Sequence, residues 1–257
     1  MKIKIDNEIG KLFKEERTIP NVSDELKKRG FENTKRNHWY STWETTRKDI
    51  TYSSIKLKLT NNDKNDDYFY PDGIRVLLIG VNPRATSDNY QKEIEEYCKD
   101  DSKHHRDGCN DYLEPTRKNA LLDALMSADG QSKGVKELIT IDLFAERTKT
   151  SNELFIKIGE QPSEINKIIG ENNHKLLKDY IYQTDMIIIA WGSGINNTLW
   201  ARVNDYRNNL YKWLSDNISK CRWYGANTDG TPKHISRRLH KNFQKLNKNE
   251  LRTIFGL

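Results

Sequence analysis

The sequence predicts an α/β fold, a three-layer sandwich in which helices cover both faces of a central, mainly parallel, four-stranded sheet. Three apolar runs carry that expectation: Val76-Leu-Leu-Ile79, Leu138-Ile-Thr-Ile-Asp-Leu-Phe144 and Met186-Ile-Ile-Ile-Ala-Trp191. Each is short, continuous and rich in β-branched residues, the pattern of a strand buried on both faces. Helical stretches over Thr116 to Ala128, Pro162 to Ile181 and Asn196 to Ser219 separate and follow them. Strands that alternate with helices imply parallel pairing. A shorter fourth strand is expected at Cys221 to Ala226.

The α/β region is expected to span residues 71–257, and residues 1–70 read as an elaboration in front of it. There a charged helix is expected near Ser23 to Arg29, stopped by Gly30. An aromatic and basic segment follows from Phe31 to Arg47, and the alternating Ser54-Ile-Lys-Leu-Lys-Leu-Thr60 reads as a strand. Asn61 to Asp67 offers nothing apolar to bury and reads as a loop, and Pro71-Asp-Gly73 favours a turn. There is no internal repeat and no glycine-rich linker.

Only 35% of the residues are hydrophobic, yet they gather into dense runs, which fits a folded core under a very polar surface. The net charge is +6, and the excess is uneven. Between residues 220 and 252 only Asp229 and Glu250 oppose a long series of Lys and Arg. A basic face of this kind favours a polyanionic partner, although an ordinary solvated helix surface gives the same composition. The opening Met1-Lys-Ile-Lys-Ile-Asp6 lacks a signal-peptide core, and no apolar run approaches membrane-spanning length. A soluble, cytoplasmic monomer with no membrane contact is expected. Cys98, Cys109 and Cys221 are too few and too scattered for a disulfide framework. Cys98, His104, His105 and Cys109 lie close together in sequence, but their spacing matches no standard ligand pattern, so neither a metal nor another cofactor is assigned.

In sheets of this class the active site lies beyond the carboxyl ends of the strands. That rule selects four segments: Gly80 to Asp88, Asp142 to Thr148, Trp191 to Asn196 and Asn227 to Ser236. The first has no phosphate-loop lysine and no dinucleotide fingerprint; it reads either as a turn holding a carboxamide or as a capped helix start. Trp191-Gly-Ser-Gly194 lacks the flanking glycines of a nucleophile elbow and reads as a tight strand-to-helix turn. The fourth segment sets Lys233, Ser236, Arg237 and Arg238 around one apolar side chain, Ile235. Two readings stay open for it: a phosphate-gripping loop with an apolar wedge for base flipping, or a helix start whose isoleucine packs inward.

Ile79-Gly-Val-Asn-Pro83 resembles the Gly-Ile-Asn-Pro motif of the mismatch-specific branch of the uracil-DNA glycosylase superfamily. Ala190-Trp-Gly-Ser193 is similar to that superfamily's Leu-Trp-Gly-Ser, and Thr231-Pro-Lys-His-Ile-Ser236 to its late His-Pro-Ser-Pro-Leu-Ser loop. The order of motifs between about Arg75 and Arg238 also resembles the uncharacterised domain-of-unknown-function family 1643, found in bacteria and phages. These resemblances imply a uracil-DNA-glycosylase-like fold and a monofunctional DNA glycosylase. Asn82 would position the attacking water, and His234 or Lys233 would stabilise the leaving base. Ile235 would intercalate, with Lys233, Ser236, Arg237 and Arg238 on the DNA backbone. Asp88 reads as a general base or a helix cap, and Phe144 as a stacking platform or core.

Two departures from the superfamily shape the expected specificity. Thr231 stands where its uracil-excising members place a histidine, and Asp142 where they place an asparagine. An ionised aspartate only accepts hydrogen bonds, so Asp142 reads either as an acceptor for the exocyclic amino group of a cytosine-type base or as a partner of Arg147 or a cap of a neighbouring helix. The expected substrate is a modified cytosine-type pyrimidine in DNA, and the expected product an abasic site. The family's occurrence in phage and defence loci implies modified or phage DNA as partner. A non-catalytic modified-base reader and a nucleoside- or nucleotide-processing enzyme are the competing classes.

Overall fold

The computed structural model describes residues 12–18, 37–45, 51, 53–60, 67–69, 72–81, 115–148, 150–195, 197–235 and 243–257. The parallel centre of the sheet consists of β5 (Ile74–Gly80), β6 (Val135–Asp142), β7 (Met186–Ile189) and β8 (Cys221–Trp223). They lie side by side in the order β6-β5-β7-β8, each pair parallel. These are the four expected strands.

The sheet also extends beyond them. β1 (Leu12–Thr18), β2 (Asn37–Thr45) and β3 (Ser53–Thr60) form an antiparallel meander that joins the outer edge of β6 through β3. β4 (Asp67–Phe69) pairs with β3, and β9 (Gln244–Lys245) closes the far side antiparallel to β8. The amino-terminal elaboration therefore continues the same sheet. The expected helix near Ser23 to Arg29 lies outside the described residues.

Side chains alternate across a strand, so β5 faces two ways. Leu77 and Ile79 join one core, with Ile139, Ile141, Ile187 and Ile189. Val76 and Leu78 join the other, with Leu138, Met186 and Ile188. The first core is covered by α3 (Ser151–Glu160), α4 (Ile165–Ile169), α5 (Glu171–Gln183), α6 (Asn197–Arg202), α7 (Asn204–Asp216) and α8 (Lys248–Phe255). The second lies against α1 (Pro115–Met126), which leads into α2 (Ala128–Lys133). Helices on both faces make the expected three layers.

Local chemistry sets the helix ends. Thr150 caps α3 by accepting from the Glu153 N–H, and Asn247 and Glu250 form a reciprocal capping box on α8. Gly256 ends α8 in the left-handed conformation, φ 63°. No helix among the described residues is long and apolar enough to cross a membrane.

Candidate functional site

The carboxyl ends of β5, β6 and β7 lie along one edge, and hydrogen bonds join the segments that leave them. Leu143 N–H donates to Gly80 O, Phe144 N–H to Val81 O, and Ala190 N–H to Ile79 O. Asp142 is the last residue of β6 and stands opposite Gly80 in the parallel register. A Cβ at Gly80 would sit 2.1 Å from Asp142 Oδ1, so the carboxylate lies over the bare backbone of β5. Asp142 remains partly exposed.

The peptide groups behind that carboxylate are tied down by side chains. Asp142 N–H donates to Thr51 Oγ1 (2.8 Å), and Asn173 Nδ2 donates to Asp142 O (2.9 Å). Thr51 in turn donates to Asn173 Oδ1 from both its backbone N–H and its hydroxyl. Both side chains are buried. Tyr206 on α7 donates its hydroxyl to Leu143 O at 2.6 Å. Burial, with the nearby Asp142 charge adding to it, holds the Tyr206 hydroxyl far above its usual range, so it stays a donor. His174 rests against Tyr206 and edge-on to Trp213. Burial first, then the Lys178 charge, lowers its pKa.

Further along the edge, Gly192 (φ 82°) and Gly194 (φ 112°) form the expected turn. Both need glycine, because a Cβ on Gly194 would strike the Phe155 ring and one on Gly192 would meet His234 Cβ at 3.2 Å. His234 is exposed and lies against the end of β7. With strands about 4.8 Å apart, β6 and β7 run on the order of 10 Å from each other on the two sides of β5.

The loop before His234 is internally bonded. Thr231 is buried; its hydroxyl donates to Asp229 and accepts from Asn227 Nδ2. Asp229 also accepts from the Thr231 N–H, and Lys233 N–H donates to Gly225 O. Thr231 is thus committed to shaping the loop, while His234 is the residue of this segment that reaches the edge.

At two positions that left alternatives open, burial favours the packing one. Ile235, read either as an intercalating wedge or as an inward-packing residue, is fully buried in the core that contains Leu78, Ile188 and Tyr224. Drawing an isoleucine out of such a site forfeits about 1.5–3 kcal/mol, which is why it packs inward. Phe144, read either as a stacking platform or as core, is also fully buried, and its ring packs against Tyr206. It is core. Asn82, Asp88, Ser236, Arg237 and Arg238 lie outside the described residues, as do Cys98, His104, His105 and Cys109. Among the described residues no group of His, Cys, Asp and Glu could hold a metal ion.

Sequence reasoning missed Thr51, Asn173 and Tyr206. They reach Asp142 and Leu143 across 91, 31 and 63 positions, and contacts so distant leave no local pattern to read.

Residues 111–234 match the model of a family described as Protein of unknown function (DUF1643). The resemblance to that family thus holds over β6, β7, β8 and the loop to His234; it starts after β5 and ends before Ile235. No curated protein and no solved structure matches the chain.

Proposed function

We propose that this protein is a monofunctional DNA glycosylase of the uracil-DNA glycosylase superfamily that releases a modified cytosine-type base. The observation that carries this reading is the Asp142 carboxylate lying over Gly80 at the carboxyl edge of a parallel sheet, one strand from the end of β7 where His234 lies. That edge is where sheets of this kind bind ligands. A carboxylate there accepts from the exocyclic amino group of cytosine. Facing uracil O4, it would oppose lone pairs with lone pairs, at a cost of roughly 1–3 kcal/mol.

In the proposed reaction the nucleotide is flipped out of the duplex and its base seated against Asp142. The bond from C1′ to the base nitrogen breaks, and its electron pair leaves with the base. Water held by Asn82 adds to the oxocarbenium-like C1′, and the proton it loses passes through solvent to the base anion, giving an abasic sugar and the neutral free base. His234, exposed at the edge, is proposed to donate a hydrogen bond to the departing base. Lys233, Arg237 and Arg238 are proposed to grip flanking phosphates.

The burial of Ile235 favours a second reading. With that wedge seated in the core, a free nucleoside or nucleotide needs no flipping and fits the same edge.

Matched duplexes containing uracil, cytosine and C5-substituted cytosines, and the corresponding nucleosides, decide between the two when released bases are identified by mass. Release from duplex with a C5-substituted cytosine is expected. Asn82→Ala should lower it at least about a hundredfold, because water positioning acts in the transition state. Release confined to nucleosides would favour the second reading. Strong uracil excision with no action on any cytosine derivative would overturn the assigned specificity.

A further inference from the structure

We infer that Thr51 and Asn173 are positioning residues that set the base selectivity of Asp142, which makes Thr51, two residues before β3, part of the recognition site. The inference rests on the base site proposed above.

Strand pairing explains the geometry. β3 runs antiparallel to β6, with Ser53 opposite Thr140. Continuing that register two residues further sets Thr51 opposite Asp142. The backbone ladder has ended there, and the partly buried Asp142 N–H needs an acceptor other than a strand carbonyl. The Thr51 hydroxyl oxygen takes the place of the missing strand carbonyl and receives the Asp142 N–H. Asn173, fully buried on α5, then closes a ring. Its Oδ1 accepts twice from Thr51, and its Nδ2 donates to the Asp142 carbonyl.

Both main-chain groups of Asp142 are therefore held by side chains from two distant parts of the chain. On its other side, the carboxylate meets the bare backbone of Gly80. A carboxylate offers several acceptor directions, and only a fixed Cα–Cβ direction turns one of them toward a single donor on a base. A strand end that served stability alone would need its N–H and C=O satisfied, which water does at an exposed edge. Here a buried threonine and a buried asparagine do it instead.

The test uses the full chain and two nucleosides that differ in the C4 group and N3, 5-hydroxymethyl-2′-deoxycytidine and 5-hydroxymethyl-2′-deoxyuridine. Binding of each is measured by NMR titration for the unaltered protein, Thr51→Val and Thr51→Ser, and exchange of the Asp142 amide is followed in the same samples. The unaltered protein is expected to prefer the cytidine at least tenfold. Thr51→Val keeps the side-chain shape but removes the hydroxyl; it should speed Asp142 amide exchange and reduce the preference at least fivefold. Thr51→Ser restores the hydroxyl and should restore both. Loss of preference at unchanged melting temperature separates positioning from support of the fold. An intact preference in Thr51→Val despite faster exchange would overturn the inference, as would equal or absent binding of both nucleosides by the unaltered protein. Selective binding without base release from DNA would sink the glycosylase reading and leave the inference standing. Base release from DNA with an unaltered preference in Thr51→Val would do the reverse.

Discussion

The Asp142 carboxylate occupies the space that a side chain on Gly80 would fill, with Oδ1 2.1 Å and Cγ 3.3 Å from the position of a Cβ. The obstructing atom is the far end of a side chain, and Gly80 lies in an ordinary strand conformation. A methyl group there can push the carboxylate aside without moving the backbone.

Gly80→Ala should accordingly leave stability unchanged, or raise it by about 0.4–1 kcal/mol through the stiffer unfolded chain. Selectivity for a cytosine-type base should nonetheless fall at least tenfold. Urea unfolding and nucleoside titration on the same variant check both halves. A destabilised protein with unchanged selectivity would show that glycine is needed there for packing rather than for placing the carboxylate.

His174 gives a pH dependence of defined sign. Burial and Lys178 lower its pKa in the folded chain, so the unfolded chain takes up the proton first as pH falls. The stability it contributes is fully present above about pH 6.5 and is lost as pH falls from there toward the depressed folded value. His174→Gln should therefore lose less stability than the unaltered protein between pH 7 and pH 5.5, as read by urea midpoints. Identical pH profiles would remove His174 as the cause.

Cys221 should be chemically silent in the folded protein. Burial pushes its thiol up to about 12 against the opposing pull of Arg222 and Lys220, and it lies under α7 with Leu214 O and Asn217 O nearby. Since the thiolate is the reactive form, alkylation at pH 8 should be at least about a hundredfold slower than in urea. Peptide mass analysis assigns the label to Cys221. Rapid native labelling at that residue would contradict its burial.

The parallel centre of the fold was legible because both faces of those strands are covered, which forces continuous apolar runs such as Met186 to Ile189. β9, two exposed residues long, carries no such signature. α3 and α8 were legible in principle from their caps, Thr150 with Glu153 and Asn247 with Glu250, but their apolar residues are few and mixed with charge. The candidate site divided in a similar way. Asp142 was readable as a polar residue ending an apolar strand; the residues that hold it were not, because their bonds cross the chain. Ile235 left two readings open, and its burial favours the inward one. Basic neighbours made it resemble a surface wedge, while its own apolar surface found the core.

The attachment of β3 to β6 also has a consequence for how the chain is made. Ser54 hydrogen-bonds to Glu137, 83 positions later. A ribosome adding roughly 5–20 residues per second takes about 4–16 s to cover that distance. During that interval the Ser53–Lys56 stretch of β3 lacks its β6 partner and presents an open edge, the kind that recruits other strands. Synthesis speed between β3 and β6 thus becomes a determinant of yield, and slow codons placed there would lengthen the exposure that aggregation requires.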